Sequence, residues 1–241
     1  MTLIVGHRGA RNLWPENSLS GFRRTLALGV DAIEFDVHRT SDGKLVVIHD
    51  PTLERTTFGE GAICDLSAET VCRSELRDAD GECVPTLQDV LDLLKAASIE
   101  LHIEIKTDAQ GRRYDGIEAQ ILHMLVEHRM VERSVLTCFV PSVLEDIRRQ
   151  WPEQRLLASL DRRSCEMLGG LDASLARFNA VSGCLLAVEK SLLQHALEPC
   201  LRHFGAERLG VWVVNEPQDL VTWSGAPIRQ ITTDRPDLAL S

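Results

Sequence analysis

Short apolar stretches of strand character alternate along the chain with segments whose apolar residues recur at helical spacing. The strand-like stretches fall at 3–6, 32–38, 45–49, 100–106, 134–139, 155–160, 179–183, 209–214 and 230–234. Between them, helical spacing covers 18–28, 86–97, 115–130, 141–150, 164–176, 189–204 and 216–224. Such alternation predicts an α/β fold with a mainly parallel sheet, either open or closed. If 45–49 is the return arm of a hairpin begun by 32–38 and turned at Asp42-Gly43, eight strands are left for the parallel sheet, the number that closes a barrel.

Several boundaries have their own signals. Thr86 followed by Asp89 predicts a helix cap after Pro85, and Pro141 suits the first turn of the next helix. Pro199 inside 189–204 predicts a kinked or split helix, because it removes a donor and crowds the preceding turn. The connection from Asp50 to Pro85 is long for a compact α/β domain and is expected to shape the barrel mouth. No linker or internal repeat interrupts the chain, so 1–241 reads as one domain with 50–85 as a small insertion after the hairpin.

The two faces of the second strand carry the first chemical signal. Glu34, Asp36 and His38 share one side, and Ile33, Phe35 and Val37 share the other. In a closed parallel barrel, reactive groups sit at the C-terminal ends of the strands. His7-Arg8 after the first strand, Glu34-x-Asp36 on the second and Glu104-x-Lys106 after the hairpin all reach such ends on consecutive barrel strands. With Asp42-Gly43 as a two-residue turn, opposed residue numbers sum to 85, which sets His49 opposite Asp36. A slip of one residue would point His49 to the other face.

Glu34, Asp36 and Glu104 offer three hard oxygen ligands, a set that favours Mg²⁺ or Ca²⁺ over zinc. His7 and His49 form the natural proton-transfer pair. Arg8 and Lys106 beside them suit a phosphate. The net charge of −10 disfavours nucleic acid and anionic membrane as partners, so an anionic substrate requires that field to be reversed locally. One divalent cation with Arg8 and Lys106 would do so. The opening apolar run is too short for a signal peptide, no run approaches a membrane span, and the seven cysteines lack Cys-x-x-Cys spacing. A cytoplasmic protein without stable membrane anchoring is expected; oligomeric state is not legible.

The sequence closely resembles the glycerophosphodiester phosphodiesterase family in GHRGARNLWPENS at 6–18, AIEFDVHRTSDGKLVVIHDPTLERTT at 32–57, PTLQDVLDLL at 85–94, ELHIEIK at 100–106, GVWVVNEP at 210–217 and TTDRPD at 232–237. The resemblance implies a TIM (β/α)8 barrel and metal-dependent hydrolysis of glycerophosphodiesters to sn-glycerol 3-phosphate and an alcohol. It makes Glu34, Asp36 and Glu104 metal ligands, His7 and His49 the general acid/base pair, and Arg8 and Lys106 phosphate contacts. Trp212 resembles the aromatic that lines the glycerol pocket.

Ser18, His102 and Val213 depart from residues common in the family, and 141–205 matches it weakly, so the alcohol-gripping part of the pocket cannot be carried over. His38 reads as a structural residue, and His123, His128, His195 and His203 as helical packing or surface residues. Rival readings are a lysophospholipase D or phospholipase C-like phosphodiesterase, for which 50–85 is too polar, and a non-catalytic glycerophosphodiester-binding protein, for which no histidine or ligand is missing.

Overall fold

A computed structural model describes residues 2–241. Its strands are β1 (Leu3–Gly6), β2 (Ala32–Arg39), β3 (Leu45–Val47), β4 (Glu100–Ile105), β5 (Ser134–Cys138), β6 (Arg155–Leu160), β7 (Leu185–Glu189), β8 (Leu209–Trp212) and β9 (Gln230–Thr233). All but β3 run parallel and close into a TIM barrel in the order β1-β9-β8-β7-β6-β5-β4-β2, with β2 returning to β1. Helices lie between successive barrel strands.

Alternation along each strand explains the layering. Leu101, Ile103 and Ile105 of β4 face outward into the main core, with Ile33, Phe35 and Val37 of β2 and Leu87, Val90, Leu91 and Leu94 of the helix Leu87–Leu94. Inside the barrel the apolar filling is small, chiefly Val135, Leu157 and Ala187, and polar groups take the remaining space. Near its N-terminal end, Glu100 collects Arg155 at 2.7 Å and Arg229 at 2.8 Å.

The strand β2 is shared in a way that makes room for a site. Its start pairs with β1 at Ala32 and Ile33, its end pairs with β3 from Val37 to Arg39, and β4 runs along its other edge. Residues 34–36 therefore face a gap where β1 has ended and β3 has not begun. Asn17 enters it, donating to Asp36 Oδ2 at 2.9 Å.

Thr86 and Asp89 form the expected reciprocal cap, and Pro141 opens the helix Pro141–Gln150. Four expectations need correction. The seventh strand lies at Leu185–Glu189 instead of 179–183, because Asn179 ends a helix and Gly183, at φ +67°, turns the chain first. The helix expected over 164–176 is two, Arg162–Met167 and Leu171–Asn179, separated at Gly169-Gly170, both at positive φ. Lys190–Phe204 runs through Pro199 as one helix, and His195, whose carbonyl loses its donor, is exposed to water. The hairpin register is Val37↔Val47, His38↔Val46, Arg39↔Leu45, a sum of 84. Its loop has three residues, Ser41 to Gly43, closed by Gly43 N–H on Thr40 O at 3.0 Å with Gly43 at φ +81°.

The segment after His49 has a core of its own, in which Leu53, Ile63, Val71, Leu76 and Val84 pack on Val46 and Ile48 of the hairpin arm. It is tied to the loop after β1 by Arg55, which holds Glu16, and to the first turn of the helix Leu19–Ala27 by Glu82, which accepts from Ser20 N–H at 3.0 Å.

Candidate active site

Parallel register places the carboxylates side by side. Asp36 is level with Glu104 across the β2–β4 ladder, and Glu34 precedes Asp36 on the same face. One oxygen from each of Glu34, Asp36 and Glu104 lies within 4.8 Å of the others. Glu34 Oε1 and Asp36 Oδ1 are buried without any hydrogen-bond partner. Three hard oxygen donors, with Glu34 Oε1 unpartnered and Asp36 Oδ1 met only by the Lys106 ammonium, fit a divalent cation of the Mg²⁺ or Ca²⁺ type.

The protein's own cations crowd the same acids. Lys106 Nζ sits 2.7 Å from Glu104 Oε1 and 3.2 Å from Asp36 Oδ1. Burial and the charges of Asp36 and Glu104 push Glu34 well above the ordinary carboxylate range. At Asp36 burial pushes the same way but is outweighed by Lys106, His49 and Arg8, so this carboxylate stays ionised.

Arg8 owes its place to an unusual backbone. Arg8, Gly9 and Ala10 all lie in the left-handed region, at φ +50°, +73° and +63°, which costs a non-glycine residue about 1–2 kcal/mol. Glycine is required at the middle position, since a Cβ there would meet the Phe22 ring at 2.8 Å. The turn aims Arg8 N–H at Glu34 Oε2, 3.0 Å away, and brings the guanidinium to Glu16 at 3.2 Å.

The two histidines come from different elements, the end of β1 and the end of the hairpin arm, each with Nδ1 on an aspartate at 2.6 Å: His7 on Asp234 and His49 on Asp50. Donation from Nδ1 to a carboxylate leaves Nε2 as the free nitrogen of each neutral ring. Asp234 is fully buried; it also accepts from Asn215 Nδ2 at 2.8 Å and lies 3.0 Å from Arg11 Nε. Burial lowers the pKa of His7 despite Asp234. Burial would raise Asp234, but the His7 bond brings it down to about 2. Asp50 is more open; against its burial, His49 and Arg55 hold it below the carboxylate range.

His49 arrives by a route the hairpin arithmetic does not give. In the observed register Ile48 N–H bonds to Asp36 O at 3.1 Å, so continued pairing would carry His49 away from the site. The strand instead stops at Val47 and the chain bends, bringing His49 to the cavity wall. His38, fully buried, touches the His49 carbonyl through Nε2 at 3.0 Å and Tyr114 Oη through Nδ1 at 2.9 Å.

His7, Arg8, Glu34, His49, Glu104, Lys106 and Trp212 line one cavity of about 210 Å³, with Asp36 buried beside them. Its far wall comes from β5 to β8: Thr137, Phe139, Leu157, Ser159 and Asp161 join Trp212. The Trp212 indole is fixed by its N–H on Ala187 O at 3.0 Å and by the Phe139 ring edge-on at 5.7 Å. Residue patterns alone missed Asp234, Asp50, Asn17 and Glu16, although all four lie in stretches that carry the family resemblance. His102 lines the cavity floor with Nε2 on Glu100 at 3.2 Å.

The Glycerophosphoryl diester phosphodiesterase family model matches residues 7–238. A glycerophosphodiester phosphodiesterase of Caldanaerobacter subterraneus is 30% identical over 100% of this chain and 97% of its own. Among solved structures, a protein of Agrobacterium tumefaciens provisionally named a glycerophosphoryl diester phosphodiesterase superposes with a TM-score of 0.91 at 28% identity, covering 100% of this chain and 96% of that one. An Oleispira antarctica phosphodiesterase, solved in complex with the product sn-glycerol-3-phosphate, shares the fold with a TM-score of 0.83 at 20% identity, covering 99% and 95% of the two chains. Among the described residues no helix is long and apolar enough to cross a membrane.

Proposed function

The chain belongs to the glycerophosphoryl diester phosphodiesterase family and is a phosphoric diester hydrolase, and from that premise we propose that it cleaves glycerophosphodiesters to sn-glycerol 3-phosphate and an alcohol by two-histidine general acid/base catalysis. The observation that carries this reading is the pair of imidazoles, each fixed through Nδ1 by an aspartate, flanking one cavity lined by Glu34, Glu104, Arg8 and Lys106, with Asp36 buried beside them. Glu34, Asp36 and Glu104 would hold one divalent cation, Mg²⁺ or Ca²⁺, which supplies positive charge and Lewis acidity at the phosphate.

Arg8 and Lys106 bind the phosphoryl oxygens and orient the diester. His7, kept neutral by burial, takes a proton at Nε2 from the attacking glycerol 2-hydroxyl, while His49, carrying a second proton at Nε2, gives it to the departing alcohol; the two roles then reverse as water opens the cyclic phosphate to sn-glycerol 3-phosphate. Asp234 and Asp50 each hold the Nδ1–H of one ring, which leaves Nε2 as the nitrogen that exchanges the proton. The Trp212 indole, buttressed edge-on by Phe139, forms the apolar wall on which the glycerol carbons lie. The whole of 1–241 acts as one domain, with 50–85 as an insertion that braces the His49 side of the mouth through Arg55. Free thiols at all seven cysteines fit a cytoplasmic setting.

Incubating the protein with glycerophosphocholine is expected to release glycerol 3-phosphate. Chelator abolishes the release, added Mg²⁺ or Ca²⁺ restores it, and His49→Ala lowers kcat/KM by about a thousandfold. Equal rates in wild type and His49→Ala would sink the mechanism. No release from any headgroup diester would favour a non-catalytic binding protein.

A further inference from the structure

His38 sits two residues beyond Asp36 on the inner face of β2, too deep to touch a substrate, yet both of its nitrogens are engaged. A carbonyl can only accept, so His38 Nε2 must carry the hydrogen that reaches His49 O at 3.0 Å. Nδ1 is then a lone pair, and Tyr114 must donate its hydroxyl proton across 2.9 Å. The two partners together select one tautomer. Tyr114 belongs to the connection between β4 and the helix Ile117–Glu127, so the imidazole ties three segments of the barrel mouth.

The bond matters because the sheet does not hold His49. Ladder pairing of the hairpin arm stops at Val47, and Ile48 makes the last backbone bond to β2. Among the described residues, the His49 carbonyl has no hydrogen-bond partner other than His38. Its side-chain partner Asp50 is its neighbour in sequence and reaches the barrel only through Arg55, whose side chain is 46% exposed.

We propose that His38 is a positioning residue for the reaction: its Nε2–H fixes the bend that aims His49 at the cavity, and the Tyr114 hydroxyl locks the tautomer that lets it do so. This rests on the reading of His49 as a proton-transfer group. With glycerophosphocholine as substrate, His38→Leu should lower kcat/KM by about 10- to 100-fold, and His38→Gln, which keeps an N–H donor, should recover most of the loss. In a His49→Ala background His38→Leu should cost little more, since the group it positions is gone. Amide hydrogen exchange at residues 48–50 should quicken in His38→Leu and Tyr114→Phe by about tenfold or more relative to wild type.

An equal additional loss in the His49→Ala background would mean that His38 acts on folding alone, and unchanged exchange at 48–50 would overturn the proposal. Should His38→Leu fail to fold, Tyr114→Phe, which removes one hydroxyl and keeps the ring, carries both measurements. A wild type that releases no glycerol 3-phosphate would defeat the proposed function, while the exchange data still judge the tether.

Discussion

Two sides of the barrel mouth present the same chemical pair, an imidazole with Nδ1 on a carboxylate at 2.6 Å, by different means. At the β1–β9 seam, closure of the barrel does the work: Thr233 of β9 is level with Gly6 of β1, so His7 and Asp234 leave adjacent strand ends together. At the hairpin rim, no ladder reaches His49, and a buried side chain, a sequence neighbour and a half-exposed arginine hold it instead. A site can therefore combine a nitrogen fixed by the sheet with one fixed by side chains, and the two should respond differently to perturbation.

The sharpest test exchanges each aspartate for its amide. Asp234→Asn strikes a buried carboxylate that orients a buried ring, and should lower kcat by about ten-thousandfold, as loss of the orienting carboxylate does in serine hydrolases. Asp50→Asn strikes a carboxylate that is 23% exposed and shared with Arg55, and a loss of about tenfold is expected. Steady-state kinetics on both variants decide the matter. Equal losses would remove the distinction between the two sides.

Stability against pH sharpens the same contrast. Asp234 titrates at about 2 in the fold against an ordinary 3.8, so between those values the unfolded chain binds the proton and the folded chain does not. Its contribution, about 2 kcal/mol, is thus fully present above pH 4 and is lost as pH falls through 2. Urea unfolding of wild type and Asp234→Asn should differ most at neutral pH and converge toward pH 2. A constant gap would show that the carboxylate charge contributes nothing.

The seam was the more legible side. A strand ending at Gly6 aims His7 at the barrel mouth, and parallel register brings Glu34, Asp36 and Glu104 together with no knowledge of loops. Asp234 stands 227 residues from His7, and only closure of the barrel pairs them, so no local pattern could name it as a partner. The rim was legible in outline and wrong in detail. Asp42-Gly43 marks a hairpin correctly, but two- and three-residue loops share that signal, and the choice between them shifts the register by one. The second half of the barrel is less legible because of its apolarity: the unbroken apolar run Cys184–Val188 carries no polar alternation to fix the phase or the start of the strand.

Gly43 gives the smallest and most discriminating effect. It closes the three-residue loop at φ +81°, and a Cβ there would lie 3.2 Å from Arg39 Nη2, the movable end of a long side chain. Gly43→Ala should therefore cost only the backbone strain of a left-handed alanine, about 1 kcal/mol in urea unfolding. If His49 is held by His38 and not by the hairpin, that strain stops at the ladder's end, and kcat/KM should stay within about twofold of wild type. A tenfold fall in kcat/KM from Gly43→Ala would mean that register is transmitted to His49 after all, and the rim would then be as dependent on the sheet as the seam.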